Sequence, residues 1–324
     1  MSEFRAQIVG LAAQQKYIDS VFPLMYQGQA LEDAALLNWV EKNKVKIEDE
    51  LKIHGAILFR DMGVNDEQSF DRFIRAFDWP SFTYEESLSN AVRRNRTELV
   101  FTANEAPPSV SIFLHHEMAQ TPIYPSKLFF YCELASQSGG STPICRSDVL
   151  LEHLRREIPN FVSACEDKGV RYSQTMPSDN DLESGQGRSW GSTLNATSQE
   201  QAETKLRKLS YQWQWRDDGS LSVITPQLPA IRTLDDGRKV FFNQLIAAFR
   251  GWQDARNVGE KSICYGDNSP ISNEDMEVVI RLSDLLTFDV PWQTGDIVLI
   301  DNFVTMHGRR PFEGQRRVLA SLVA

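Results

Sequence analysis

The hydrophobic pattern of the chain predicts strands and helices that alternate along its length. A helical region is expected around residues 31–50, and a second helix begins near residue 65. Continuous apolar runs at residues 53–59 and 127–134 are typical of buried strands, and a further apolar run, residues 318–324, closes the chain. This order predicts a mainly β protein that also contains helices.

A long insertion, residues 168–268, interrupts this pattern. It begins with a polar loop rich in Gly and Ser at residues 177–192 and continues with a helix that Ser198 would cap. Alternating polar and aromatic residues at 211–215, followed by an Asp-Asp-Gly turn, predict a hairpin. A helix at residues 272–287 then leads back to the closing strands. We expect the insertion to form an arm over the mouth of the core and to set substrate choice.

Two histidines and a glutamate carry the most informative chemistry. Residues 110–118 are predicted as a strand, in which alternate side chains share a face, so His115 and Glu117 would point the same way. His307, far later in the chain, would be the third ligand. Two His and one carboxylate leave three positions open, which is how non-haem Fe(II) is held. His116 would face away, unless a bulge lets it replace His115.

A threonine and an arginine pair fit an anionic cosubstrate beside that metal. Gly139 and Gly140 permit a tight turn that would deliver the hydroxyl of Thr142 as a hydrogen-bond donor. Arg316 and Arg317 open the last apolar strand, where a guanidinium can bind a carboxylate through two hydrogen bonds.

The order of these motifs also constrains the fold. Metal ligands on early and late strands must meet in space although residues 168–268 lie between them, which suits a double-stranded β-helix, or jelly-roll. We expect a single domain over residues 1–324, mainly β with helices. Its jelly-roll core would carry an inserted mixed α/β arm at about residues 168–268.

Together the motifs resemble those of the taurine dioxygenase-like Fe(II)/2-oxoglutarate oxygenases, including the clavaminate synthase-like and amino-acid hydroxylase branches. The resemblance implies that Fe(II) is bound by His115, Glu117 and His307. It implies that Thr142 and Arg317 bind the distal carboxylate of 2-oxoglutarate, with Arg317 as the ion-pair partner. The expected reaction consumes O2 and converts 2-oxoglutarate to succinate and CO2.

Two departures from the taurine-type motifs indicate which class of substrate to expect. Glu117 stands where taurine-type enzymes commonly have Asp, and Ser321 stands where sulfonate-using members carry Arg. An amino acid or amino-acid-derived natural-product intermediate, free or tethered to a carrier protein, is therefore expected. Hydroxylation is the expected outcome, with desaturation, epoxidation and cyclisation left open. The predicted substrate-binding residues of the arm are Arg188, Trp190, Phe242 and Asn243; packing in the core is an equal alternative for the two aromatic ones.

Composition excludes several other classes of protein. A formal net charge of −10, with no basic run, argues against nucleic acid and anionic membranes as partners. The four cysteines lack paired metal spacing and are expected to be reduced thiols. No stretch approaches about 18 apolar residues, and no secretory signal pattern opens the chain. We expect a cytoplasmic enzyme with a small-molecule substrate; a homo-oligomer remains open.

Two alternatives from other classes remain at this point. A zinc hydrolase can also use two His and a Glu, but the helical His-Glu-x-x-His motif is absent and the Thr142 and Arg317 pattern would be unexplained. A catalytically silent, cupin-like binding protein is the second alternative. Metal analysis with a 2-oxoglutarate turnover assay would separate all three.

Overall fold

A computed structural model describes residues 4–29, 33–84, 88–184 and 186–324. Residues 31 and 32 of the predicted N-terminal helical region, and residue 185 of the predicted loop, lie outside the described residues. The helices are α1 (Asp33–His54), α2 (Glu67–Arg75), α3 (Ser147–Glu157), α4 (Pro159–Lys168), α5 (Trp190–Thr193), α6 (Gln199–Lys208), α7 (Leu245–Gly251) and α8 (Asn273–Leu285), with a short 3-10 helix at Gly259–Ser262.

Most of the strands are short. They are β1 (Gln7–Ile8), β2 (Gln15–Lys16), β3 (Val21–Phe22), β4 (Leu24–Gln27), β5 (Ala56–Arg60), β6 (Ser81–Phe82), β7 (Phe101–Thr102), β8 (Ile112–His115), β9 (Lys127–Leu134), β10 (Ser138–Gly139), β11 (Thr142–Arg146), β12 (Val170–Met176), β13 (Gln212–Trp215), β14 (Leu221–Ile224), β15 (Arg232–Thr233), β16 (Lys239–Val240), β17 (Ile263–Tyr265), β18 (Phe288–Val290), β19 (Ile297–Asp301), β20 (Thr305–Arg309), β21 (Phe312–Glu313) and β22 (Arg317–Val323).

Two of the sheets share a hydrophobic core. The larger sheet has the order β1-β4-β5-β19-β9-β22-β6, with β7 also paired to β22, and the smaller has the order β18-β11-β20-β8. Phe130 of β9 and Ala320 of β22 belong to the same buried cluster as Ile144 of β11 and Val290 of β18. The protein is therefore mainly β with several helices, as the sequence predicts.

Helices α1 and α2 cover the other face of the larger sheet. The predicted second helix is confirmed: Oδ1 of Asp66 accepts a hydrogen bond from the Ser69 amide at 2.7 Å, which caps α2. Phe70 of α2 stacks on Tyr131 of β9 with their ring centroids 5.0 Å apart. None of the described helices is both long enough and apolar enough to span a membrane.

The inserted residues contain a sheet of their own, with the order β13-β14-β12-β17. The predicted hairpin is confirmed, because β13 and β14 pair antiparallel with Trp215 opposite Leu221. The predicted helix is confirmed as α6, whose first turn is capped by the Ser198 hydroxyl. These elements lie between α4 and α8 in the chain.

Two predicted strands are longer in the sequence analysis than in the structure. The first core strand begins at Ala56 instead of residue 53, because α1 continues to His54 and Gly55 ends it with a φ of +76°. A side chain at Gly55 would also place its Cβ 2.6 Å from Oγ1 of Thr305. The strand predicted at residues 110–118 is reduced to β8, which ends at His115.

Candidate metal centre

Two imidazoles and a carboxylate converge on one point beside the smaller sheet. Nε2 of His307 lies 3.5 Å from Oε2 of Glu117, and Nε2 of His115 lies 3.9 Å from the same oxygen. The candidate ligand atoms of the three residues all lie within 4.8 Å of one another. One metal ion could therefore contact all three side chains.

Strand pairing brings the two histidines together. His115 ends β8 and lies directly opposite His307 on β20, with their ring centroids 4.3 Å apart. The pairing shifts register just after His307, and a Cβ at Gly308 would lie 2.3 Å from the carbonyl oxygen of Ile112. Glycine at 308 is thus what allows the two strands to approach this closely.

Glu117 is delivered by a turn, not by the strand that the sequence predicts. Its backbone is held by the side chain of Asn302, whose Oδ1 accepts from the Glu117 amide at 2.7 Å and whose Nδ2 donates to the Glu117 carbonyl at 3.0 Å. Asn302 is fully buried. Sequence analysis missed this positioning role; the available signal was an amide at the end of an apolar strand, which needs partners when buried.

The environment prepares His115 to bind a metal. Burial lowers the pKa of His115 to about 4, so its imidazole is neutral near neutral pH. Nδ1 of His115 lies 2.8 Å from the carbonyl oxygen of Phe113. When Nδ1 carries the proton and donates it to that oxygen, the lone pair of Nε2 lies on the side of Glu117 and can bind a metal. The adjacent His116 bonds the Asn302 carbonyl through Nδ1 and packs on Phe242, with ring centroids 4.8 Å apart, outside the cluster.

Glu117 has a buried cationic partner that the sequence analysis did not identify. Burial alone would raise the pKa of Glu117, but the guanidinium of Arg93 and the two histidines outweigh it and hold that pKa well below its usual range. Nη2 of Arg93 lies 3.0 and 3.1 Å from the two carboxylate oxygens. No pattern in the sequence separates Arg93 from its exposed neighbour Arg94.

The triad forms part of the wall of a cavity of about 120 Å³. Thr142 and Arg316 line the same cavity. Arg309 also lines it, but its two terminal nitrogens donate to carbonyl groups of the segment 104–110. Amide and aromatic side chains are also among the lining residues, including Asn90, Gln120, Gln186, Gln244, Phe113 and Trp252.

The arginine pair is arranged differently from the expectation. Arg317 points outward, with 53% of its side chain exposed, and Nε donates to Glu133 at 2.6 Å. Arg316 lines the cavity, and its Nε donates to the carbonyl of Gly140 at 2.8 Å. The structure therefore places Arg316 at the cavity, whereas Arg317, the first residue of β22, faces away from it.

Arg188 and Trp190 of the arm lie away from the described cavity wall. Arg188 is 2% exposed, and its guanidinium donates to the carbonyls of Tyr84, Ser89 and Ser192. The indole of Trp190 donates to a backbone carbonyl of the β13–β14 turn at 3.2 Å. Both polar groups therefore have hydrogen-bond partners within the protein.

Phe242 and Asn243 are also core residues in the structure. Phe242 is 1% exposed and packs edge-on against Tyr124, with centroids 4.9 Å apart. Nδ2 of Asn243 donates to the Ala230 carbonyl and its Oδ1 accepts from the Leu245 amide, both at 3.0 Å. Neither belongs to the described residues that line the cavity; the next residue, Gln244, does.

Comparison with known proteins gives one consistent family. The model of the taurine catabolism dioxygenase TauD, TfdA family matches residues 21–322. A clavaminate synthase-like protein of Arabidopsis thaliana is 38% identical over 284 residues, covering 87% of this chain and 86% of its own. The dapdiamide synthesis protein DdaC of Enterobacter agglomerans is 27% identical over 292 residues, covering 86% and 84% of the two chains.

Solved structures show the same fold. The crystal structure of AAD-2 in complex with Mn(II) and N-oxalylglycine matches with a TM-score of 0.54 and 13% identity, covering 99% of this chain and 98% of that chain. The protein belongs to the TauD/TfdA family, as its motifs predict.

Membership of this family defines the cofactors. The protein is a 2-oxoglutarate-dependent non-haem Fe(II) dioxygenase, which uses Fe(II), 2-oxoglutarate and O2. The donor set fits that metal: a neutral His115, the ionised Glu117 and His307 form a two-histidine, one-carboxylate site. The zinc hydrolase and the silent binding protein are accordingly set aside.

Proposed function

We propose that the enzyme oxidises, by hydroxylation, an amino acid or an amino-acid-derived natural-product intermediate. The observation that carries this proposal is a group of amide side chains that line the same cavity as the metal ligands. The names of the two relatives support the same class, since one is a dapdiamide synthesis protein and the other is clavaminate synthase-like.

Thr142 and Arg316 are proposed to bind 2-oxoglutarate through its distal carboxylate. Burial lowers the pKa of Arg316 to about 10, which still leaves the guanidinium charged near neutral pH. Gly140 has a φ of +69°, and a Cβ there would lie 2.9 Å from Cδ of Arg316. The glycine turn therefore serves both residues: it leads into Thr142 at the start of β11 and leaves room for the Arg316 side chain.

Residues around the metal centre have separate roles beside the cofactors. Bound Fe(II), 2-oxoglutarate and O2 supply the oxidising chemistry, in which 2-oxoglutarate is converted to succinate and CO2. Glu117 provides a fixed negative charge at the metal, and Asn302 holds its backbone in place. Phe113 and Trp252 line the cavity with apolar surface, which excludes water from part of its wall.

Finer features of the fold are proposed on the same basis. The two sheets that share a core, and the meeting of β8 with β20, support a double-stranded β-helix. We further propose a single domain over residues 1–324, with residues 168–268 as its arm. The cytoplasmic location, the oligomeric state and a carrier-tethered substrate stay predictions.

Substrate-stimulated turnover tests the proposed function. The iron-loaded enzyme would be incubated with 2-oxoglutarate, O2 and a library of free amino acids and aminoacyl-carrier conjugates. We expect at least one of them to stimulate succinate release and to gain one oxygen atom in its mass. Stimulation by taurine or an aryloxyacetate, with none from the library, would contradict the assignment.

A further inference from the structure

We propose that Arg93 binds a carboxylate group of the substrate, and that neighbouring side-chain amides bind N–H groups of the same molecule. This inference rests on the proposed function and deepens it. It assigns to Arg93 the role that the sequence suggested for Arg188, and it defines the substrate as one that carries both an anionic carboxylate and an N–H donor.

The hydrogen-bonding state of Arg93 is the first observation. Its side chain is 6% exposed and lines the cavity, yet only Nη2 has an acceptor, the carboxylate of Glu117. Nε and Nη1 are buried and have no partner among the described residues. The face of the guanidinium lies 5.2 Å from the ring centroid of Phe101, an apolar neighbour that supplies no acceptor of this kind. A buried guanidinium with unpaired donors requires an acceptor, and a bound carboxylate can supply it.

The charge balance of the cavity is the second observation. Among the described lining residues, three side chains are cationic, Arg93, Arg309 and Arg316, against the single carboxylate of Glu117. A divalent metal ion and the 2-oxoglutarate dianion cancel each other, so the excess of positive charge persists after both have bound. A substrate carboxylate beside Arg93 offsets this positive charge locally, whereas a substrate without an anionic group does not.

The amide side chains give the third observation. The side-chain oxygens of Asn90, Gln120 and Gln186 are buried and have no hydrogen-bond partner within the described part of the chain. Each of these residues is at most 9% exposed. An amide oxygen accepts hydrogen bonds, so these oxygens fit N–H donors of a ligand.

A competing explanation is that Arg93 serves only to neutralise Glu117. In that case its substitution would weaken the metal site, and it would weaken binding of every ligand to the same extent. A direct contact would instead affect carboxylate ligands selectively. Comparing an acid with its carboxamide, in the wild-type protein and in Arg93→Gln, separates the two explanations.

The test uses full-length protein loaded with Mn(II) and N-oxalylglycine, which cannot turn over. Calorimetric titration would screen the proteinogenic L-amino acids and their N-acetyl derivatives, and each binder would be compared with its carboxamide. We expect the wild-type protein to prefer the acid by about thirtyfold or more, and Arg93→Gln to reduce this ratio to about one. Arg93→Lys, which keeps the charge, should retain part of the preference.

Arg94→Gln is the matched control, since the Arg94 side chain is 67% exposed and pairs loosely with Glu105 at 3.7 Å. The control should keep the full acid-to-carboxamide ratio. An acid-to-carboxamide ratio that stays unchanged in Arg93→Gln would overturn the role of Arg93. Mn(II) binding that falls as much as ligand binding would overturn it too. Neither result would affect the proposed function. If no amino-acid probe binds the wild-type protein while a member of the turnover library stimulates succinate release, this inference fails and the proposed function stands; if none stimulates release either, both fail.

The role of the amide oxygens as acceptors is tested separately in the same titration. Gln120→Met keeps the volume of the side chain but removes the acceptor. It should lower the affinity for an amino or N-acetylamino acid while leaving that for the analogue without nitrogen unchanged, a difference of about tenfold. Equal losses for both ligands would show that Gln120 shapes the cavity without binding N–H groups, and would remove that part of the proposal.

Discussion

Two buried arginines, one beside the metal ligands and one in the inserted arm, use their donors in opposite ways. Arg188 in the arm donates from all three guanidinium nitrogens to acceptors within the protein. Arg93 in the cavity wall is buried nearly as deeply, but two of its nitrogens have no partner among the described residues. Burial alone therefore does not distinguish an arginine that can bind a ligand from one that is packed in the protein. The distinguishing features are unpaired donors and a position in the cavity wall.

The difference also shows how the arm contributes to the site. The guanidinium of Arg188 lies 4.0 Å from the ring centroid of Tyr84, and its nitrogens bond carbonyl groups on both sides of it. It links the arm to residues 88–93, which reach the cavity through Asn90 and Arg93. The arm thus supports the cavity wall through this segment, and it contributes residues to the wall itself, among them Gln186, Gln244 and Trp252.

The largest expected effect comes from a comparison of two neighbouring histidines, one that faces the cavity and one that is packed in the protein. His115→Ala removes a metal ligand and should lower Fe(II) affinity by more than about hundredfold, since loss of an outer partner alone costs about 10–100-fold. His116→Ala should keep the metal and lose about 1–3 kcal/mol of stability, because its partner Asn302 loses a buried hydrogen bond. Metal analysis and urea unfolding measure both. Loss of iron in His116→Ala alone would reverse the assignment.

The next test compares the two neighbouring arginines of the last strand. Arg316→Gln leaves the cosubstrate carboxylate without its charged partner, and 2-oxoglutarate affinity should fall by about 2–5 kcal/mol with iron content preserved. Arg317→Gln breaks only an exposed pair with Glu133 and should change stability by less than about 1 kcal/mol. Titration of the iron-loaded variants with 2-oxoglutarate gives both values. Equal losses in the two variants would contradict the orientation of the pair.

The third test addresses the arm. Arg188→Met keeps the apolar stem but leaves the carbonyls of Ser89 and Ser192 without a charged donor, so stability should fall by about 1.5–3 kcal/mol. Affinity for 2-oxoglutarate should stay at the wild-type value. Denaturant unfolding and a 2-oxoglutarate titration measure the two quantities. Unchanged stability with loss of substrate stimulation would restore Arg188 as a substrate contact.

The metal ligands could be predicted from the sequence because their residue types are specific and their positions are local to recognisable strands. His115 and His307 lie at paired positions of β8 and β20. The mechanism behind Glu117 was nevertheless wrong in detail, since a turn and not strand alternation places it. The prediction of Glu117 as a third member of the cluster still holds, because the turn brings its carboxylate to the same side as the two histidines.

The outward orientation of Arg317 has a geometric cause that the sequence does not display. The pairing of β22 with β9 shifts register between Arg317 and Val318. Because side chains alternate along a strand, a shift of one residue exchanges the inward and outward positions. Arg93 could not be assigned for a related reason: its role depends on a contact with Glu117 that no local sequence pattern shows.

The smallest expected effect concerns Trp190, for which packing and substrate contact were equal alternatives. In the structure its indole donates to the Gly219 carbonyl and its ring meets Trp215 edge-on, with centroids 5.0 Å apart. Trp190→Phe removes the hydrogen bond but keeps an aromatic ring, so stability should fall by about 1 kcal/mol. The KM for substrate should not change, because the ring lies outside the described cavity wall. A raised KM at unchanged stability would mean that Trp190 contacts the substrate, and the contrast between paired and unpaired polar groups would then fail at this position.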